Sequence, residues 1–390
     1  MPDYRRHGAG WEAGRVEPPV LADVPHLGQV VPSLLAVLGV PGYADTLALP
    51  EARSAGVLLV DGLGAELLAE HAADAPVLTE LTRRSVRVGY PSTTSAGVAA
   101  IGTGLASGEH GMVGYTFEMS GVGVLNALRW CSHDDGGDLR GALPPREVQP
   151  LPTTFERAAA AGLDTAVVSA AAFADTALTR ATQSGARYVG VHALGDLAAR
   201  TLSVLSGDRS FCYSYHSELD SLGHLYGPGS MAWRMQLRQV DRLVESIVDG
   251  LPPGALFAVV ADHGMVGVDE KLDLEDVPEL LEGVRTFGGE ARARHVYTEP
   301  GAAADVLAAW RAVLGDRAWV RSREEAVAAG WFGHTVSDRV LPRIGDVVAA
   351  ARDRFAMVRG LAEAVESSLI GQHGSLTTAE QLVPLALAQG

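Results

Sequence analysis

At 390 residues with 47% apolar content, the chain is long enough to bury a large core or two unequal domains. Its formal net charge of −16 and its single lysine, Lys271, exclude a long polyanion as a partner, because nonspecific nucleic-acid binding depends on clustered Lys and Arg. No apolar stretch approaches the about 20 residues that a membrane span requires, and the N-terminus lacks an apolar run of signal-peptide length. We therefore expect a cytoplasmic protein without a nucleic-acid polymer or a membrane as a partner.

Apolar runs alternate with helical stretches after the proline-rich residues 1–50, which is typical of a parallel sheet built from βαβ units. The predicted strands are GVLLV before Asp61, SVRVGY ending near Tyr90, and the segments 164–169, 187–191, 211–216 and 256–262. The predicted helices lie after Asp61, from Ser95 to Leu105, and from about Ser230 to Asp249. The pattern predicts an α/β fold with a doubly wound, mostly parallel sheet sandwiched by helices.

Side chains able to bind metal follow four of these strands. They are Asp61 after VLLV, Thr94 in YPSTTSAG, Asp220 and His224 in SELDSLGH, and Asp262 and His263 after FAVV, and His373 joins them in GQHGSLT. Because ligands bind at the carboxyl ends of parallel strands, we expect one crevice there. Carboxylate oxygens and imidazole nitrogens suit Zn²⁺ and similar ions, so the set is large enough for two divalent ions and a nucleophile. Zn²⁺ fits best, and Mn²⁺ or Fe fits the same ligand types.

Ordinary structural roles are consistent with several of these residues taken singly. Asp61 is also suited to cap the next helix. Asp220 and His224 have i, i+4 spacing, so both a helix and a single turn would place them together. A lone histidine is weak evidence for a metal site, and His373 is a candidate ligand only because it lies in a glycine-flanked turn.

Thr94 stands where a helix is predicted to begin. Free backbone N–H groups and the positive end of the helix dipole favour phosphate oxygens at that position. A threonine hydroxyl becomes a nucleophile when a metal ion or a base favours its alkoxide. The same placement is equally consistent with an N-cap at Thr93, Thr94 or Ser95.

Residues 267–365 differ from the rest in composition, beginning with the acidic DEKLDLEDVPELLEG. We expect a small α+β insertion that covers the site, with residues 1–266 and 366–390 forming the catalytic core. The alternative is a simple C-terminal extension.

The motifs VDGLG, YPSTTSAGVAAIGTGLASGEHG, DSLGHLYGPGS, ADHGM and GQHG, in this order, resemble the alkaline phosphatase superfamily. Within that superfamily they resemble the nucleotide pyrophosphatase/phosphodiesterase-like branch. The resemblance implies one ion held by Asp220, His224 and His373. A second ion would be held by Asp61, Asp262 and His263. Thr94 would adjoin the second ion and attack phosphorus, giving a covalent phospho-threonine intermediate. The implied activity is hydrolysis of a small phosphodiester or nucleotide pyrophosphate.

Two positions depart from that branch and bear on the substrate. Thr93 stands where the branch often has lysine, and Tyr115 stands where it has a phosphate-contacting asparagine, so both are predicted substrate contacts. One alternative function is that of a phosphomonoesterase or phosphonate hydrolase on the same core. Another is that of a metal-dependent phosphomutase, although no basic cluster for a second phosphosugar site is evident. A third is that of a catalytically silent metal- or ligand-binding protein. The pattern predicts no oligomeric state.

Overall fold

The computed structural model describes residues 17–390. The first 16 residues lie outside the described residues, and with them part of the predicted core range 1–266 and the stretch on which the prediction about a signal peptide rests.

Strands occur throughout the described chain. The first nine are β1 Ser54–Val60, β2 Thr82–Arg87, β3 Thr116–Met119, β4 Gly123–Asn126, β5 Cys131–Ser132, β6 Asp164–Ala170, β7 Arg187–Val191, β8 Ser210–His216 and β9 Ala255–Val260. The others are β10 Val266–Gly267, β11 Glu270–Asp273, β12 Val284–Glu290, β13 Ala293–Thr298, β14 Ala318–Ser322, β15 Val347–Ala351, β16 Phe355–Val358, β17 Gly371–Gln372 and β18 Leu382–Gln389.

Helices connect and cover these strands. The first eight are α1 Val30–Val37, α2 Ala65–Glu70, α3 Pro76–Leu81, α4 Thr94–Thr103, α5 Ser107–His110, α6 Pro145–Val148, α7 Thr154–Ala160 and α8 Ala177–Thr182. The others are α9 Leu194–Leu205, α10 Glu218–Tyr226, α11 Met231–Asp249, α12 Ala303–Leu314, α13 Arg323–Ala328, α14 Ala364–Ser368 and α15 Thr378–Gln381.

Seven strands form the central sheet in the order β2-β18-β9-β1-β8-β6-β7. The strands from β9 to β7 pair in parallel, whereas β18 runs antiparallel to both β9 and β2. The predicted α/β fold with a mostly parallel sheet flanked by helices is confirmed. Several boundaries differ from the prediction. Strand β2 ends at Arg87 rather than near Tyr90, α4 spans Thr94–Thr103 rather than Ser95 to Leu105, and β9 ends at Val260 rather than at 262.

The middle of this sheet is buried on both faces. Every residue of β1 and of β9 is buried, and apart from Ser54 both sequences are apolar runs, as expected for parallel strands covered by helices on two sides. Helix α11 buries Trp233, Leu237 and Val244 against this core. Such complete burial fixes the strand ends, and therefore the side chains that follow them, in rigid positions.

A second sheet, β12-β13-β15-β14, lies within residues 267–365 and is antiparallel. Helix α12 packs on it through Trp310 and Val306, which share a separate hydrophobic cluster with Phe287 and Val347. This sheet thus differs from the central one in strand direction and has its own hydrophobic cluster. The division of the chain into a catalytic core and an insertion stays a prediction. In residues 17–390, no helix has the length and apolar character to cross a bilayer.

Candidate active site

The carboxyl ends of β1, β8 and β9 bring three of the predicted segments together. Val60 pairs with His216, and the N–H of Asp61 donates to the carbonyl of His216 at 2.9 Å. Asp61 therefore directly follows β1 beside the end of β8. It does not cap the next helix, because the N-cap of α2 is Gly64.

The first group of potential ligands consists of Asp220, His224 and His373. Asp220 and His224 lie one turn apart on α10, with Asp220 Oδ2 3.4 Å from His224 Nε2. His373 Nε2 lies 3.2 Å from His224 Nε2 and 3.8 Å from Asp220 Oδ1. The three side chains each offer one atom within 4.8 Å of the others, a spacing that a single ion can bridge.

The second group consists of Asp61, Asp220 and His263, which offer atoms within 4.8 Å of one another. His263 Nε2 lies 3.2 Å from Asp61 Oδ1, 3.9 Å from Asp262 Oδ1 and 3.2 Å from Thr94 Oγ1. Asp220 thus stands between the two groups. The resemblance to the family had placed it with one ion only.

Pairing outside the central sheet positions His373. Strand β17 pairs with β10, so Gln372 lies opposite Val266, only a few residues after His263. The rings of His263 and His373 stack as a result, with centroids 3.6 Å apart.

Each histidine of the cluster is oriented through its second ring nitrogen. The Nδ1 atoms approach backbone carbonyls: His224 at 2.7 Å from Gly371 O, His263 at 3.0 Å from Gly264 O, and His373 at 2.9 Å from Ser92 O. A carbonyl only accepts, so Nδ1 carries a proton and donates it there. The Nε2 atoms face the carboxylates, which is the orientation that metal-binding histidines take in proteins.

Buried carboxylates without donors give the cluster its electrostatic character. Asp61 Oδ1, Asp220 Oδ1 and Asp262 Oδ2 are buried and accept no hydrogen bond from the described residues. Burial, followed by repulsion from Asp61, raises the pKa of Asp220 and of Asp262. Burial by itself lowers the pKa of His263, but the carboxylates of Asp262 and Asp61 outweigh it and raise that pKa to about 10.

Unpaired buried carboxylate oxygens are costly, and their usual partners are cations. Three of them converge here with three imidazole Nε2 atoms, and no Lys or Arg side chain from the described residues pairs with them. The donor set therefore fits divalent metal ions bound by oxygen and nitrogen.

Thr94 is the first residue of α4, and its hydroxyl makes no cap. Thr93 occupies the N-cap position without a side-chain cap bond, and Ser95 Oγ donates to the carbonyl of Gly114 at 2.8 Å. None of the three hydroxyls is a cap, so the structural alternative for Thr94 does not apply. Thr94 Oγ1 instead lies beside His263, at the N-terminus of α4.

Two further residues near the site, Gly97 and Tyr215, are not among the residues predicted from the sequence. Gly97 allows α4 to approach Asp262, because a Cβ at this position would lie 2.4 Å from the Cβ of Asp262. Tyr215, on β8, donates its hydroxyl to Asp61 Oδ2. The run of small residues in TTSAG is a signal that could have identified Gly97. The alternation of side chains along β8 points Tyr213 and Tyr215 to the same face.

The predicted substrate contacts are not among the residues that line the open cavity at the site. Thr93 is buried, and neither Thr93 nor Tyr115 lines that cavity. Tyr115 donates its hydroxyl to Glu366 Oε1 at 3.2 Å and its N–H to Glu290 Oε2 at 2.7 Å. Their role as substrate contacts stays a prediction.

The cavity itself has a volume of about 280 Å³ and is lined by Asp61, Thr94 and Asp220 at one end. A larger cavity of about 480 Å³ surrounds His26, His110 and Trp331, and none of the seven predicted site residues lines it. The smaller cavity is thus the one that communicates with the cluster.

With the site in view, comparison with known proteins identifies the family. The model of the type I phosphodiesterase / nucleotide pyrophosphatase family matches residues 56–376. The chain belongs to this family. The predicted resemblance is confirmed, and the family assignment supports a phosphoesterase.

Individual relatives are more distant. A phosphopentomutase from Anaeromyxobacter dehalogenans is 30% identical over 151 residues, which cover 33% of this chain and 38% of that enzyme. The chain thus matches little more than a third of the length of this relative.

Two solved structures are similar in fold. Inactive murine ectonucleotide pyrophosphatase / phosphodiesterase 5 in complex with AMP is 16% identical with a TM-score of 0.65, covering 86% of this chain and 87% of the other. Phosphonoacetate hydrolase from Sinorhizobium meliloti in complex with phosphonoformate is 21% identical with a TM-score of 0.66, covering 87% and 91%.

Proposed function

We propose that the protein hydrolyses a small phosphodiester or nucleotide pyrophosphate, with Thr94 as the nucleophile beside two divalent metal ions. The observation that supports this most directly is the 3.2 Å separation between Thr94 Oγ1 and His263 Nε2, at the edge of a buried carboxylate–imidazole cluster. The family assignment supports the same class of reaction.

Two sets of residues would hold the ions. One ion would be held by Asp220, His224 and His373, and the other by Asp61, Asp262 and His263, with Asp220 close to both. Zn²⁺ suits this donor set best, and Mn²⁺ or Fe is compatible with it. When bound, such ions supply Lewis-acid polarisation of phosphoryl oxygens and neutralise developing charge.

The protein's own groups then have distinct tasks. The carbonyls of Gly371, Gly264 and Ser92 orient the three imidazoles. The first turn of α4 directs free N–H groups toward phosphoryl oxygens. Thr94 Oγ1 forms a bond to phosphorus as the leaving oxygen departs, and water then cleaves the phospho-threonine to regenerate the hydroxyl.

Substitution of Thr94 tests this proposal. Thr94→Ala should lower turnover of bis-p-nitrophenyl phosphate by about 10⁴-fold or more, because the nucleophile is lost. The variant should still contain about two divalent ions per chain by elemental analysis. Thr94→Ser, which keeps a hydroxyl, is the matched variant and should retain measurable turnover.

Substantial activity of Thr94→Ala would remove Thr94 from this role. One ion or none in the wild-type protein would contradict the two-ion site. The absence of any turnover in a metal-loaded wild-type protein would favour the catalytically silent alternative. A wide preference for p-nitrophenyl phosphate over the diester would favour the phosphomonoesterase.

A further inference from the structure

The larger cavity, of about 480 Å³, lies on the opposite side of α4 from the active site. Thr94 and Val98 of this helix line the cavity at the cluster. Ala96 and Ala100 line the larger one, and a step of two residues leads to the other side of a helix. Within residues 17–390, the two cavities share no lining residue. The volume of the larger cavity suits a small organic molecule.

Three arginines around this cavity lack acidic partners. Arg87 lines the cavity, and Arg339 and Arg343 donate to the backbone carbonyls of Glu109 and Gly111 behind its wall. Arg343 is buried and the other two are partly buried, yet none of them pairs with a carboxylate of the described residues. The chain has 47 acidic residues against 31 basic ones, so the lack of partners does not come from a shortage of acids. Cations removed from water without a counter-ion are costly.

A buried N–H group in the same wall has no acceptor. The N–H of Met112 donates to His110 Nδ1 at 3.1 Å, so the proton of the neutral ring is on Nε2. The carbonyl of Ala96 lies near Nε2, but no atom in the described part of the chain accepts a hydrogen bond from it. His110 is 1% exposed, and a donor left unpaired at such depth is costly. An acceptor on a molecule in the cavity would satisfy it.

The charges around the two histidines of the wall favour an anion. Burial, followed by Arg87, lowers the pKa of His26 to about 4. Burial, followed by His26 and the two arginines behind the wall, lowers the pKa of His110 to about 3. No carboxylate of residues 17–390 acts on either ring in the opposite direction. A potential that disfavours a second proton on these rings favours a negative charge at the same place.

Two carboxylates, Asp23 and Glu109, also line the cavity. Asp23 is exposed and Glu109 is partly exposed, and neither pairs with Arg87 or Arg339. The buried part of the wall therefore keeps its positive charge without compensation.

We infer that this cavity is a second binding site, which takes a small organic anion with a flat apolar body. The anionic oxygen accepts the hydrogen bond of His110 Nε2 and lies in the positive potential of the three arginines. The apolar body packs against Trp331 and Phe332, which line the cavity. This site goes beyond the proposed function and does not depend on it.

Two probes that differ in charge test the inference. Naphthalene-1-sulfonate is an aromatic monoanion, and naphthalene-1-sulfonamide has the same rings and a similar shape without the charge. Binding of each probe to the full-length protein is measured by calorimetry at low salt. We expect the Kd of the sulfonate to be lower by about tenfold or more. Equal Kd values, tighter binding of the sulfonamide, or no binding of the sulfonate in the millimolar range would overturn the inference.

Substitution of Arg87 locates the bound anion. Arg87→Gln removes the charge and should raise the Kd of the sulfonate about tenfold, while the Kd of the sulfonamide changes by less than about threefold. Arg87→Lys retains a cation and should keep the preference for the sulfonate. Arg84→Gln is the matched control, because Arg84 is an exposed residue of the same strand that does not line the cavity. An unchanged sulfonate Kd in Arg87→Gln, or an equal loss in Arg84→Gln, would overturn the inference.

A second arginine keeps the test independent of the folding of Arg87→Gln. Arg339→Gln removes a charge behind the wall and should raise the Kd of the sulfonate about threefold or more. If Arg87→Gln does not fold, as judged by circular dichroism, this variant and the two probes on the wild-type protein decide the question. An unchanged Kd in Arg339→Gln would contradict the positive potential of the wall.

Binding to Asp220→Asn separates this site from the metal cluster. Asp220 lines the cavity at the cluster and not the larger one, so the Kd of the sulfonate should change by less than about threefold. A loss of affinity of about tenfold would place the probe at the cluster and overturn the inference. The measurement requires no turnover, so a failure of the proposed function leaves this test intact.

Discussion

At the cluster, three buried carboxylate oxygens have no donor among the described residues, whereas in the adjoining cavity the hydroxyls of Thr176, Thr179 and Tyr188 already donate to protein atoms. The two regions share Asp61, Thr94 and Asp220 at their boundary. The carboxylates of the cluster lack partners of opposite charge, which bound cations would provide. In the cavity wall these hydroxyls have partners, whereas the buried hydroxyl of Tyr213 has none among the described residues.

Among tests of this contrast between cluster and cavity, we expect the largest effect from substitution of Asp220, which belongs to both ligand groups. Asp220→Asn should lower turnover by about 10³-fold or more and reduce the metal content of the protein, because both groups lose a carboxylate. Elemental analysis together with kcat on a diester measures this. Asp175→Asn, at an exposed surface pair, is the control and should change neither quantity. Full retention of two ions in Asp220→Asn would contradict the shared position of this carboxylate.

Tyr215 joins the two regions, because its hydroxyl donates to Asp61 while its ring packs against Phe173. Tyr215→Phe removes the hydrogen bond and keeps the ring, so metal affinity should fall by about 10–100-fold. Zinc titration against a chromophoric chelator measures the change. Tyr188→Phe removes a hydroxyl that donates to the carbonyl of Ala170 and should leave zinc affinity unchanged. Equal zinc affinities of the two variants would show that Tyr215 does not position Asp61.

Substitution of Gly97 tests the packing beneath the cluster rather than the charge of the cluster. Gly97→Ala places a Cβ 2.4 Å from the Cβ of Asp262, so either α4 or Asp262 must move. We expect a loss of about 1–3 kcal/mol in the free energy of unfolding, together with lower turnover. Denaturant unfolding of the metal-loaded protein measures the first effect.

Gly195→Ala is the matched change for that measurement. An added Cβ there has no atom within 4 Å, in an exposed position of α9. It should raise the stability by less than about 1 kcal/mol. Similar unfolding free energies for the two variants would mean that the close approach at Gly97 is relaxed at little cost.

Much of this architecture follows from local pattern. The apolar runs of β1, β8 and β9 predict buried parallel strands, and the polar residues directly after them predict the edge where the site lies. The i, i+4 spacing of Asp220 and His224 holds because the segment forms α10. These features depend on neighbours within a few residues, and the sequence displays those neighbours directly.

Other features depend on contacts between distant residues. The reversed direction of β18 between β2 and β9 has no local signal. The pairing of β10 with β17 carries His373 to His263 across more than a hundred residues of chain. Neither the sharing of Asp220 nor the bond from Tyr215 to Asp61 follows from spacing.

By itself the sequence determined the fold class, the family and the seven residues that converge at the sheet edge, since apolar runs and short motifs are local properties. The tertiary structure alone decided that Asp220 belongs to both ligand groups, and that no Lys or Arg side chain from residues 17–390 lines the adjoining cavity. Charge and hydrogen-bond saturation of a cavity depend on which side chains meet across the fold. That is a property of packing between distant segments rather than of the order of residues in any one of them.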